Sequence, residues 1–157
     1  MGEARFYYRN EHAPRPNKPT GIGVVAIIRR DDGILLEKRS DSDRWAIIGG
    51  GVQEHESLTD ALSREVREET GLTVCGVKLF GTFSDPSRIA AFPDGNVKRI
   101  ITIAYEVEVE PFSEIGCSEE SKEVRFIPVG QLHQLPIAET HLPIIQSIVT
   151  GQSVILE

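Results

Sequence analysis

The segment from Gly50 to Leu72, GGVQEHESLTDALSREVREETGL, constrains the fold more than any other part of the chain. Ser57 and Asp60, three residues apart and just ahead of an apolar repeat, make the reciprocal pairing that caps a helix N-terminus. Gly71 stands where a left-handed residue closes the C-terminus. Between these stops Leu58, Leu62 and Val66 recur every four residues, so the spacing predicts a helix from Leu58 to Thr70 with one stripe packed on a sheet. Glu65, Glu68 and Glu69 lie at offsets of three and four, which places their carboxylates within roughly a 100° arc at about 3.6 residues per turn. Like charges that close cost a few tenths of a kcal/mol per pair unless something neutralises them. A divalent cation would do so. Taken alone, an acid-rich helix face is ordinary solvated surface, and glutamate is a good helix former. The flanks decide against that reading: Ser57 with Asp60 and Gly71 bound the helix, and Gly49-Gly50-Gly51 leads in with backbone bare enough to approach a metal or phosphate closely.

The same residues carry a family resemblance. Gly50, Glu56, Arg64, Glu65, Val66, Glu68, Glu69, Gly71 and Leu72 resemble the signature of the Nudix hydrolases at every position, without a gap. Seven of those positions demand one residue type, and at roughly 6% each a chance match is of order one in a billion per start position. Trp45 and Ile47 also stand where the family has a tryptophan and an apolar residue. Ile48 replaces a usual proline and His55 a usual glycine; neither change removes a carboxylate, so both bear on loop shape or substrate. The resemblance implies a catalytic set of Arg64, Glu65, Glu68, Glu69 and a further loop glutamate. It implies that Glu65, Glu68 and Glu69, with the Gly50 carbonyl, hold Mg²⁺ or Mn²⁺, hard cations that suit oxygen ligands. Arg64 would orient the carboxylates, Glu56 would be a structural partner, and Glu65 is a candidate to take the proton from water. For the loop glutamate ahead of the last strand, Glu119, Glu120 and Glu123 compete, and Glu120 is preferred. A homodimer is common in the family.

The rest of the chain fits one modest enzyme. At 157 residues it is expected to form a single domain over residues 21–157, preceded by a polar, proline-bearing arm over residues 1–20 in which Phe6-Tyr7-Tyr8 makes a short edge strand. From Gly23, VVAIIRR-DDG-ILLEKR reads as a hairpin turning at Asp32-Gly33. Trp45 to Ile48 reads as a buried strand and Thr73 to Ser84 as another. In the strand from Arg99 to Glu110, apolar residues alternate with an acidic face, which predicts half exposure. Glu123 to Pro128 is the last strand and Leu142 to Val149 a C-terminal helix. These elements predict an α+β fold, an α/β/α sandwich with a mixed central sheet, which is also what the Nudix resemblance implies. Between the strands, Arg88 and the Pro93-Asp94-Gly95-Asn96 turn are read as surface, with pocket lining as the alternative. Phe83, Phe92 and Tyr105 are read as core rather than as base-stacking groups. No role is assigned to the histidines, and His141 is the one to test for phosphate contact.

A net charge of −7 argues against nonspecific nucleic-acid binding but not against a nucleotide substrate, since a bound metal supplies positive charge locally. Cys75 and Cys117 have no metal or disulfide spacing, and neither a signal-peptide core nor a membrane-length apolar run is present, so a cytoplasmic protein is expected. The function expected is metal-dependent hydrolysis of a phosphoanhydride in a nucleoside diphosphate linked to another moiety. A Nudix-fold regulator that binds without cleaving would ordinarily carry a separate DNA-binding domain. An isomerase on the same fold would need acid and base groups that the two cysteines do not evidently provide.

Overall fold

The computed structural model of the protein describes residues 2–152 and 154–157. In chain order these form β1 (Arg5–Tyr7), β2 (Gly21–Ile27), β3 (Arg29–Arg30), β4 (Gly33–Arg39), β5 (Trp45–Gly51), α1 (Leu58–Thr70), β6 (Val74–Phe83), β7 (Ile89–Ala91), β8 (Val97–Val109), β9 (Ser121–Pro128), α2 (Leu142–Thr150) and β10 (Ile155–Leu156). Short 3₁₀ turns at Val129–Gln134 and Glu139–His141 lead into α2. The strand path runs β1-β7-β8-β2-β5-β4-β3, with β6 beside β8, β9 beside β4 and β10 beside β6. β2 runs parallel to β8 and antiparallel to β5, so the sheet is mixed.

Side-chain alternation along β2 builds the two layers. Val24 and Ala26, with Ile28 just past the strand, point to one face and pack with Leu35, Ile48, Ala61, Leu62 and Val66, the α1 layer. Val25 and Ile27 point to the other and pack with Leu36, Ile47, Ile144, Ile145 and Ile148, the α2 layer. The predicted sandwich is therefore present, with α1 where the caps place it. Asp60 N–H donates to Ser57 Oγ at 3.1 Å, Ser57 N–H to Asp60 Oδ2 at 3.4 Å, and Gly71 closes the helix at φ 74°.

Four expectations need correction. Glu123–Pro128 is not the last strand, because β10 follows it and pairs with β6. The hairpin turns at Asp31-Asp32, one residue before the expected Asp32-Gly33, and joins β3 to β4 only; β2 pairs with β8 and β5 instead, because apolar side chains on both of its faces demand a central position. In β8 the half-exposed pattern holds only from Glu106 onward, since Thr102 and Ala104 are covered by the α2 layer. Between β6 and β8 the chain forms β7, which pairs with both β8 and β1. Through that pairing Ala4 and Phe6 of the arm are buried against Ala90 and Ala138.

Candidate active site

β5 and α1 approach each other where the glycines leave room. A Cβ on Gly49 would strike the Val24 carbonyl, and one on Gly50 would overlap the Glu65 carboxylate. The bare backbone thus lets a helix carboxylate lie directly on the strand. Gly49 N–H donates to Glu69 Oε2 at 3.2 Å, fixing the second helix acid to the same strand. Glu65 and Glu69 are buried at the edge of the α1 stripe, 8% and 3% exposed, whereas the Glu68 side chain faces solvent.

Arg64 holds the outer acids in a fan. Its Nε and Nη2 fork onto Glu56 at 2.6 and 2.9 Å, Nη1 reaches Glu65 at 2.8 Å and Glu68 at 3.2 Å, and Nη2 also donates to the Gly51 carbonyl at 3.1 Å. Bidentate guanidinium–carboxylate pairing is strong and directional. It holds the Glu56 carboxyl down at about 2, and Glu56 in turn accepts from Gln53 N–H at 2.9 Å, bracing the loop ahead of the helix.

The acid that sequence reasoning missed is Glu37 of β4. It is 4% exposed, it accepts from Ser121 Oγ at 3.0 Å, and its carboxylate lies in hydrogen-bonding contact with that of Glu69. Burial raises the Glu37 pKa; burial and then the Glu37 charge raise that of Glu69. Burial also raises Glu65, against the pull of Arg64. The signal for Glu37 was available: it follows Leu35 on the same side of a strand whose neighbours are apolar, a place where an acid is rarely left without a partner.

Glu120 sits in the exposed turn before β9, its carbonyl pinned by Ser40 N–H at 2.9 Å and Ser40 Oγ at 2.8 Å. Its negative charge pushes both Glu37 and Glu65 upward, so the turn faces the helix acids. Gly50, Glu37, Glu65, Glu69 and Glu120 wall one cleft of about 610 Å³. Glu68 and Arg64 stand outside its wall, and Glu119 and Glu123 do not line it.

Other expected residues fall elsewhere. Arg88, read as a surface arginine, is fully buried; it donates to the carbonyls of Phe83, Ile100 and Thr140 and to Thr102 Oγ1, acceptors that come from well-separated segments. The Asp94-Gly95 turn is an exposed hairpin tip. Phe83 is core, Tyr105 packs on the α1 layer, and Phe92 reaches the cleft, as does Phe6. His141 lines the cleft with Nδ1 accepting from Ile47 N–H at 3.1 Å. Burial and the nearby Arg88 and Arg39 charges hold its pKa down to about 3, so the ring is neutral. Ile48 is fully buried in the α1 layer and His55 lies in an exposed turn.

The donors fit a hard divalent cation in kind: carboxylate oxygens and a backbone carbonyl, with no sulfur or imidazole among them. Among the described residues, no three His, Cys, Asp or Glu side chains are drawn together into a closed ligand set. The acids are instead engaged by Arg64 and by one another.

The sequence model of the NUDIX domain matches residues 18–148. The chain is 34% identical over 118 residues to a nucleoside triphosphatase NudI of Escherichia fergusonii, spanning 71% of this chain and 84% of that protein. It is 33% identical over 117 residues to an ADP-ribose pyrophosphatase of Methanocaldococcus jannaschii, spanning 73% of this chain and 65% of that one. Among solved structures, a mutator MutT protein from Bacillus halodurans superposes with a TM-score of 0.70 at 23% identity, over 87% of this chain and 86% of that one. The ORF135 protein of E. coli superposes with a TM-score of 0.66 at 26% identity, over 88% and 94%.

Proposed function

The chain belongs to the Nudix hydrolase family, and on that premise we propose how its cleft performs the family's hydrolysis. The protein is a Nudix-type pyrophosphohydrolase that cleaves a phosphoanhydride bond in a nucleoside diphosphate linked to another moiety. Nudix hydrolases generally use divalent metal ions. Mg²⁺ or Mn²⁺ would be held here by Glu65, Glu68, Glu69 and the Gly50 carbonyl. Bound there, it would supply the positive charge that a polyanionic diphosphate requires and acidify water. The observation that carries this reading is the seating of Glu65 and Glu69 on the bare backbone of Gly49 and Gly50 at the wall of the cleft.

The chain's own residues do the rest. Arg64, anchored by Glu56, fixes Glu65 and Glu68 in orientation, so their geometry is set before substrate arrives. Glu65, whose basicity burial increases, takes the proton from the attacking water. Glu120 brings a further carboxylate from the β9 side, and α1 holds its acids on a rigid element packed by Leu62 and Val66. Phe6 and Phe92 add apolar wall to the same cleft, whose volume suits one small ligand. A nucleoside triphosphate or an ADP-ribose type compound meets these demands, as the names of the two relatives do.

The test is release of phosphate or pyrophosphate across a nucleotide panel with Mg²⁺, with Mn²⁺ and with chelator. Metal-dependent turnover of one substrate class is expected. Tight binding with no turnover under any metal would replace the hydrolase with a binding regulator.

A further inference from the structure

Glu37 lies outside the signature, on β4, yet it faces the same cleft as the signature acids. Each carboxylate of the Glu37–Glu69 contact has one oxygen held by a protein donor: Ser121 Oγ on Glu37 Oε2, Gly49 N–H on Glu69 Oε2. The Oε1 atoms of both receive no hydrogen bond from a donor among the described residues, and neither is a sealed, unpartnered atom. Two carboxylates in contact need a proton or a cation between them.

The two nearby arginines are already matched, Arg64 by Glu56 and Arg39 by a fork of 2.7 and 2.6 Å onto Asp41. Lys98 lines the cleft beside Gly21 but forms no ion pair with these acids. Glu37, Glu65, Glu69 and Glu120 then leave four formal negative charges on the wall, against one positive charge from Lys98. A divalent cation in the cleft would meet carboxylates from β4, from α1 and from the turn before β9.

We propose that Glu37 is a ligand residue of the metal site, taking the same divalent cation as Glu69 and positioned for it by Ser121 of β9. The inference rests on the hydrolase reading above and deepens it: the site is closed from the sheet as well as from the helix. The donor comes from a strand 28 residues before Glu65, and its anchor from another strand 84 residues after it.

The experiment is a Mn²⁺ titration of the substrate-free protein, following the signal of free aqueous Mn²⁺ by electron paramagnetic resonance, with the thermal midpoint of the metal-free protein measured in parallel. Glu37→Gln keeps the shape and the Ser121 contact but removes the charge. It is expected to weaken Mn²⁺ binding at least tenfold without lowering the metal-free midpoint. A merely structural Glu37 would do the reverse, lowering the midpoint and leaving the affinity alone. Ser121→Ala, which keeps the charge but frees the carboxylate, is expected to weaken binding a few-fold. Mn²⁺ affinity within twofold of wild type in both variants overturns the proposal and leaves the hydrolase reading standing. Failure of the wild-type protein to bind Mn²⁺ at all overturns both.

Discussion

Arg88 and the Glu37–Glu69 pair are both ionisable groups driven inside the protein, and the fold treats them in opposite ways. Arg88 has no acid beside it in hydrogen-bonding contact, yet its guanidinium is saturated by three carbonyls and a threonine hydroxyl. The two glutamates are left with free oxygens facing a cleft and with each other as neighbours. A saturated buried charge ties segments together and has nothing left to offer a ligand. An unsaturated one is unstable until something arrives. The contrast separates a structural charge from the proposed ligand charges better than burial does, since Arg88 is the more deeply buried.

The comparison can be broken most forcefully at Arg88. Arg88→Met leaves three carbonyls without donors, each costing about 1–3 kcal/mol. The expected loss is more than about 3 kcal/mol of stability in denaturant unfolding, with turnover per folded molecule little changed. A variant that unfolds like wild type would remove the structural half of the contrast. The functional half is tested by Glu69→Gln and Glu68→Gln, expected to cut turnover by about 10²–10³ with folding intact, the scale of a single oriented electrostatic contributor. Near-wild-type rates in both would dissolve the metal assignment.

His141 lies between the two regions: its neighbour Thr140 accepts from Arg88 while its own ring lines the cleft. Below its ordinary pKa of 6.5 the unfolded chain takes up a proton that the folded ring refuses until about pH 3. Stability therefore falls as pH drops through that window, by at most about 1.4 kcal/mol per pH unit from this group. His141→Asn, which keeps an acceptor for Ile47 N–H, is expected to flatten that part of the acid limb of a stability–pH curve; an unchanged slope would contradict the neutral ring. The smallest effect belongs to His55→Gly. In an exposed turn it should alter stability by no more than about 0.5 kcal/mol and leave relative rates across the nucleotide panel unmoved. A changed substrate order would show that this turn shapes specificity.

The legibility of these regions in the sequence follows the same division. The helix α1 could be read to its last residue because everything that defines it lies within fifteen positions: the Ser57–Asp60 cap, the Leu62–Val66 stripe and Gly71. The fan around Arg64 is equally local, apart from the Gly51 carbonyl. Arg88 could not be read because its acceptors lie from 5 to 52 residues away and are mostly backbone carbonyls, which no side-chain pattern announces. Glu37 was half legible: its placement in an apolar strand is visible, but its partners Ser121 and Glu69 meet it only once β4 lies beside β9 and beneath α1. The misread hairpin has a related cause. Asp32-Gly33 signals the turn one residue late, since Asp31 and Asp32 are its central residues; nor does a turn say how far back along the chain the pairing extends, and the two apolar faces of β2 draw it to the middle of the sheet.

The separation of Glu37 from Ser121 has a consequence for the order of events at synthesis. A ribosome completes the entire signature helix some fifty residues before it delivers the serine that anchors Glu37. β1 likewise waits for β7, with Arg5 meeting Ala91, before Phe6 reaches its place on the cleft. Contacts so distant along the chain close slowly and late. A nascent chain that has already formed α1 thus carries its acids without the sheet-side half of their surroundings. On the proposed assignment, the sheet-side half of the cation site is complete only after β9 has paired with β4.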